Sequence, residues 1–319
     1  MERNAPIANP LTPFLQSQGV MILDGGLATE LEAKGCDISD ELWSAGVLMN
    51  QPALIRQVHT DYLQAGADCI TSASYQATVE GFTRRGLGEE DAVELLVRSV
   101  VLAREARDSF WNDVDNRTGR LTPLVAASIG PYGAYLADGS EFTGDYGLSM
   151  DDLRAFHQRR WQILTTAGAD LLACETLPSR PEALALRGLL EETPGGRAWF
   201  SFSCRDGERI SDGTPLEVMV GELEDCQQIV AVGVNCTAPT FMEDLIGACR
   251  RVTGKPIVVY PNSGEAWDAV NKSWIEAGGG DERLPNWAES WMRAGARLLG
   301  GCCRTCPPDI RDLRQLLTS

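Results

Sequence analysis

Histidine is almost missing from this sequence: two residues, His59 and His157, among 319. Both fall in stretches with helical periodicity. Without a well-placed imidazole, Ser-His-Asp and Cys-His nucleophile devices have no base, and a histidine-held zinc site has no ligands. Positive charge is also scarce, with 28 Lys and Arg against 45 Asp and Glu and a net charge of −17. Such a surface repels phosphates, which excludes nucleic acid and an anionic membrane as partners. A small cationic or zwitterionic substrate remains compatible. No apolar run reaches the roughly 18 residues that would suggest a membrane span, and the N-terminal stretch MERNAPIANPLTPFLQSQG has no secretory core. A reducing, cytoplasmic setting is therefore expected, where clustered cysteines serve metals or catalysis rather than disulfides. A dinucleotide loop is lacking too, because the first apolar run leads into DGGLATE, not GxGxxG. No low-complexity linker divides the chain. One domain over residues 1–319 is expected, with a short N-terminal extension over 1–18.

What is present is repetition. The pattern AGADCITSAS (65–74) returns as AGADLLACET (167–176) and AGARLLGGCC (294–303). In each copy AG suits a helix end, where glycine takes the left-handed position. An apolar run and then a polar or reactive residue follow. That is the grammar of a buried parallel strand with a functional end. The template predicts eight strands at 20–26, 69–74, 124–131, 171–176, 198–204, 231–236, 257–262 and 298–303. Helices are predicted between them, among others at 52–65, 91–110, 150–167 and 181–192. Eight strand-helix alternations point to an α/β fold, a (β/α)8 TIM barrel. Long loops at 133–147 and 265–284 are expected to cover its C-terminal face.

The predicted strand ends carry Asp24, Tyr75, Glu175, Cys236, Asn262, Cys302 and Cys303. In a barrel all of them converge on one mouth. Cys236 ends strand six and Cys302–Cys303 end strand eight, so three thiolates can meet at one tetrahedral zinc with a fourth position open to substrate. Spacing alone leaves a bland reading open, cysteine as a small buried apolar side chain. That reading is expected for Cys36, Cys69, Cys174, Cys204, Cys226 and Cys249. Cys303 and Cys306 form CRTC, a redox pair or alternative ligands, although Pro307 and Pro308 turn Cys306 toward the next helix. Asp24 and Glu175 either cap helices or hold an ammonium group, with the Gly25 and Gly26 N–H groups free to take a carboxylate. Trp267, Tyr132 and Tyr135 in the covering loops are candidates to face a cation.

The blocks DGGLATELEAKG (24–35), SASYQAT (72–78), GPYGAYLADGSEFTGDY (130–146), LLACETLP (171–178), GVNC (233–236), YPNSGE (260–265) and GGCCRT (300–305) together resemble the homocysteine S-methyltransferases. The resemblance runs from about residue 20 to 315 and is similar above all to the branch using S-methylmethionine. It implies a (β/α)8 barrel that moves a methyl group from a sulfonium donor (S-methylmethionine, or S-adenosylmethionine) to homocysteine, giving methionine. It implies Zn2+ held by Cys236, Cys302 and Cys303. By the same resemblance Asp24, Gly25 and Glu175 hold the amino-acid end of homocysteine, and Tyr75 lies near the metal. Cys306 departs from the family pattern, which has Thr before Pro. Selenocysteine as acceptor, betaine as donor, and a non-catalytic zinc or redox-sensing barrel are the rival readings.

Overall fold

A computed structural model describes residues 9–36, 44–263, 266–268, 273–275 and 283–318. Eight parallel strands form its centre: β1 (Met21–Ile22), β2 (Cys69–Thr71), β3 (Leu124–Ile129), β4 (Leu171–Leu177), β5 (Ala198–Phe202), β6 (Ile229–Asn235), β7 (Ile257–Tyr260) and β8 (Ala296–Leu299). They pair in the order β1-β8-β7-β6-β5-β4-β3-β2. The ring closes between β1 and β2 through the Leu23–Cys69 bridge, with Asp68 N donating to Ile22 O at 2.7 Å and Asp24 N to Cys69 O at 3.1 Å. Helices lie between the strands, as the eightfold alternation predicts. Pro52–Ala65 has the predicted bounds, and Glu89–Asn112, Met150–Thr166 and Arg180–Glu191 differ from theirs by one or two residues.

Several strands are shorter than predicted. The first spans Met21–Ile22 rather than 20–26, because Asp24, Gly25 and Gly26 leave the ladder to pack against the β8 end. The segment 133–147 is not one open loop. It holds a helical turn, Tyr132–Leu136, and a 3-10 turn, Ser140–Phe142. Of the segment 265–284, Ala266–Asp268 pairs antiparallel with Ser273–Ile275, and the residues at 265, 269–272 and 276–282 lie outside the described ones.

Strand residues alternate between two cores, as side chains of a pleated strand must. Met21, Leu23, Ala126, Ala173, Trp199, Ala231, Val258, Tyr260 and Leu298 pack inside the ring. Ile22, Ile70, Val125, Leu172, Phe200, Val232, Val259 and Leu299 pack outward with the helices. Leu11 and Phe14, from the stretch set apart by sequence as an extension, join the inner cluster and are almost fully buried. The helix Thr12–Gln18 and the residue before it thus seat two side chains in the inner cluster.

The AGAD repeat has a physical basis. Gly66, Gly168 and Gly295 all have positive φ (118°, 90° and 129°), the left-handed geometry that ends a helix with least cost at glycine. The following aspartates cap neighbouring strands: Asp68 Oδ2 accepts from Ile22 N at 3.0 Å, and Asp170 Oδ2 from Val125 N at 2.8 Å. Among the described residues no helix is long and apolar enough to cross a membrane.

Candidate active site

Cys236 immediately follows β6, with φ +49°. Cys302 and Cys303 follow β8 after Gly300 and Gly301. Cys236 Sγ lies 2.6 Å from Cys302 Sγ and 3.6 Å from Cys303 Sγ, and all three sulfurs fall within 4.8 Å of one another. The thiols are free, not disulfide-linked. Hydrogen bonding to Cys302 and Cys303, then burial, pushes the Cys236 thiol well above its ordinary range. Hydrogen bonding from Cys236 and then Cys302 pulls the Cys303 thiol well below it. Three sulfurs this close share protons unless a cation neutralises them.

The backbone explains the convergence. Cys302 N donates to Pro261 O at 2.7 Å, Cys236 N to Tyr260 O at 3.1 Å, and Ser263 N to Cys303 O at 3.1 Å, so the β6, β7 and β8 ends are stitched together. Thr305 ties this knot to β1. Its hydroxyl donates to Cys302 O at 2.6 Å, and its carbonyl accepts from Gly26 N at 3.1 Å and from Tyr62 Oη at 3.1 Å. The glycines permit the close approach. A Cβ on Gly26 would stand 2.6 Å from Cys302 O, and one on Gly300 2.6 Å from Asp24 O.

Asp24 and Glu175 line the same cavity as the three cysteines. Asp24 caps no helix. Its Oδ2 accepts from Thr71 N at 2.7 Å and its carboxylate from Thr71 Oγ1. Burial raises it to about 8, with Thr71 opposing and Glu175 adding to the rise. Glu175 accepts from Ser128 Oγ and, at 3.0 Å, from Tyr260 Oη, and burial raises it to about 7. Tyr260 Oη is itself held by Trp199 Nε1 at 3.1 Å and lies 2.5 Å from Ser201 Oγ. Among the described residues the cavity lining contains no Arg, Lys or His. Two buried carboxylates without a protein cation are suited to a ligand that brings its own positive charge.

Of the other residues singled out by sequence, Gly25 and Tyr75 line the cavity, and burial pushes the Tyr75 phenol well up. The Gly26 N–H is not free for a substrate carboxylate, because it is spent on Thr305. Asn262 N donates to Thr237 O at 3.3 Å. Cys306 stands apart from the trio, its Sγ donating to Asp309 Oδ2 at 3.1 Å. Tyr132 and Tyr135 do not line the cavity. Tyr132 meets Tyr146 and Phe156 edge to face, Tyr135 packs tilted against Phe156, and Arg84 sits 4.8 Å above the Tyr135 ring. The Trp267 side chain lies outside the described residues. His59 and His157 are fully buried in helices and do not line the cavity, and burial lowers both to about 4. Sequence reasoning missed Ser128, Thr71, Tyr260, Thr305 and Glu141. The first three are hidden within or beside apolar strand runs, and Glu141 falls in a segment read as loop.

A (β/α)8 barrel with three convergent thiols and paired buried carboxylates at its C-terminal mouth defines a class of barrel enzyme whose chemistry centres on sulfur. The chain belongs to the homocysteine S-methyltransferase family, whose model matches residues 21–317. It is 51% identical over 305 residues to homocysteine S-methyltransferase YbgG of Bacillus subtilis (strain 168), covering 96% of each chain. It is 52% identical over 309 residues to a homocysteine S-methyltransferase of Escherichia coli (strain K12), covering 96% of this chain and 98% of that one. The structure of the metallated homocysteine methyltransferase MmuM from Escherichia coli is similar with a TM-score of 0.86 at 48% identity, covering 96% of this chain and 99% of that one.

Proposed function

We propose that this chain transfers a methyl group from a sulfonium donor, S-methylmethionine above all, to homocysteine and so forms methionine. The observation that carries the reading is the joining, in one cavity with no basic side chain among its described lining residues, of three sulfurs within 4.8 Å and two buried carboxylates. The donor set fits zinc: all-sulfur ligation favours a soft or borderline ion, and three protein ligands leave one position for substrate. Cys236, Cys302 and Cys303 would hold it, and bound zinc would supply the means to deprotonate a substrate thiol at neutral pH. Three free thiols also suit the reducing cytoplasm.

The remaining work falls to the chain's own residues. Asp24 and Glu175 hold the homocysteine ammonium, and Thr71, Ser128 and Tyr260 hold those carboxylates in place. The homocysteine sulfur, as thiolate, forms a bond to the methyl carbon while the donor's carbon–sulfur bond breaks, its electron pair staying on the donor sulfur. A thiolate and a sulfonium become two neutral thioethers. Charge vanishes along this path, so a cavity with little water favours it. The methyl transfer itself moves no proton, the homocysteine thiol having given its proton to solvent beforehand, which accords with a lining that holds no histidine among the described residues.

The test measures zinc content and methionine formation with S-methylmethionine, S-adenosylmethionine or betaine, for the native chain and for Cys236→Ser. One zinc per chain and sulfonium-dependent methionine, both lost in the variant, are expected. Zinc-free protein with undiminished turnover in Cys236→Ser would overturn the site. Turnover with betaine alone would overturn the donor, and a strong preference for selenocysteine over homocysteine would overturn the acceptor.

A further inference from the structure

The cavity holds a third carboxylate that the reading above does not use. Glu141 lies in the 3-10 turn Ser140–Phe142 and is only 3% exposed. It lines the same cavity as the cysteines, together with Phe142 and Tyr75. Its charge acts on Tyr75 and Cys303, whereas Asp24 is acted on by Glu175. Its Oε2 is buried and has no hydrogen-bond partner among the described residues. Leaving a buried carboxylate oxygen unpaired is costly, and natural sites tolerate it where a ligand completes the pair.

The segment around Glu141 is fixed rather than loose. Gly133 packs so closely beneath it that a Cβ there would stand 2.2 Å from Glu141 N. Glu141 O accepts from Ser203 Oγ at 3.4 Å. Gly144, with φ +71°, rests against Ser179 at what would be 2.9 Å from a Cβ. Three anchors therefore hold one acidic side chain over the mouth. Burial keeps it near 7, opposed by the N–H groups of Glu141 and Gly139, so a cation beside it is needed to secure its charge.

We infer that Glu141 is the counterion for the positively charged sulfur of the methyl donor, and that it sets the preference for a sulfonium donor over a neutral one. This rests on the sulfonium-to-homocysteine reading. The homocysteine ammonium has Asp24 and Glu175. The second substrate brings two further positive charges, its sulfonium and its own ammonium; the sulfonium is the one that must approach the sulfur trio, and Glu141 is the remaining carboxylate among the described lining residues. Lining the same cavity as Cys303, it would keep the donor sulfur close to the sulfur trio. Phe142 and Tyr75 supply aromatic rings that a sulfonium methyl group can rest against.

The experiment compares native holoenzyme with E141Q and E141D. In E141Q, the KM for S-methylmethionine is expected to rise on the order of 10- to 100-fold, as when one partner of a buried charge pair is removed, while zinc content and the KM for homocysteine hold. Trimethylsulfonium, a sulfonium without an ammonium group, should compete with the donor in the native enzyme and lose affinity by a similar factor in E141Q. Inhibition by methionine, neutral at sulfur, should be unchanged. E141D, which keeps the charge, should fall between. An unchanged donor KM in E141Q would overturn the inference. So would loss of S-methylmethionine binding with trimethylsulfonium unaffected, because Glu141 would then be holding the donor's ammonium. Loss of zinc and of homocysteine binding in both variants would mark a structural support and overturn it as well. If the native enzyme transfers no methyl group from any sulfonium, the functional reading fails separately, and calorimetric binding of trimethylsulfonium to native protein and E141Q still decides the role of Glu141.

Discussion

Asn235 reaches across the end of β5 to grip Thr176 at the end of β4. Its Oδ1 accepts from Thr176 N at 2.7 Å and its Nδ2 donates to Thr176 Oγ1 at 2.7 Å. Both residues are buried. Thr176 has φ +57° and Cys236, the residue after Asn235, has φ +49°. Non-glycine residues hold such left-handed backbone only where the surroundings over-determine it. The pair fixes the turn that follows Glu175 and the one that presents Cys236.

Asn235→Ala should leave two buried groups of Thr176 unpaired, at a cost of roughly 2–4 kcal/mol. A fall in the urea midpoint with unchanged slope is the expected readout, together with lower turnover because Cys236 shifts. Asn235→Asp keeps the acceptor for Thr176 N and should recover part of both. A midpoint equal to the native one would show that the pair is incidental.

The pH response follows from Asp24 at about 8 and Glu175 at about 7. Both lie above the ordinary carboxylate values near 4, so the substrate-free fold retains protons that the unfolded chain has released. The stability these groups contribute is complete below about pH 4 and is lost as pH rises through 7 and 8. Asp24→Asn should therefore melt progressively higher, relative to the native protein, as pH is raised from about 5 to 8.5. A difference independent of pH would contradict the assignment.

Methionine carries the same ammonium group as homocysteine but no thiol proton. Its binding near neutral pH should release protons from the Asp24–Glu175 pair, because a cation favours the charged carboxylates. Calorimetry in buffers of different ionisation enthalpy measures this release, and Asp24→Asn should diminish it. Binding with no proton exchange would place the ammonium elsewhere.

Gly233 sits where a Cβ would stand 1.9 Å from Val258 O. The clash is with backbone of the adjacent strand and cannot be relieved by a rotamer change. Gly233→Ala should cost about 3 kcal/mol or more, at the upper end of overpacking effects, and chemical denaturation would register it. Unchanged stability would mean that β6 and β7 separate easily.

Much of the fold was legible in the sequence for a simple reason. A strand buried on both faces and followed by a helix writes its period and its glycine punctuation locally, and the AGAD copies carried that signal. The thiol trio was partly legible, because strand order around a ring brings β6 and β8 within one strand of each other. The rest depends on register between strands. Ser128 and Tyr260 meet Glu175 from β3 and β7, partners 47 and 85 residues away. No local pattern states which strand residues stand side by side. Gly26 misled for the same reason, since its N–H is claimed by Thr305, 279 residues on. Glu141 was missed because burial of a polar side chain in an irregular segment leaves no periodic trace.

The β1–β2 junction behaves as a clasp. Backbone pairing there amounts to the Leu23–Cys69 bridge with its two hydrogen bonds, and side chains fasten its two ends: Asp68 accepts Ile22 N below, and Asp24 accepts Thr71 N above. The upper fastener is also the carboxylate assigned to the substrate ammonium. A ligand that secures the charge of Asp24 therefore tightens the buckle of the whole hoop, so that recognition at the mouth and closure of the ring become one event.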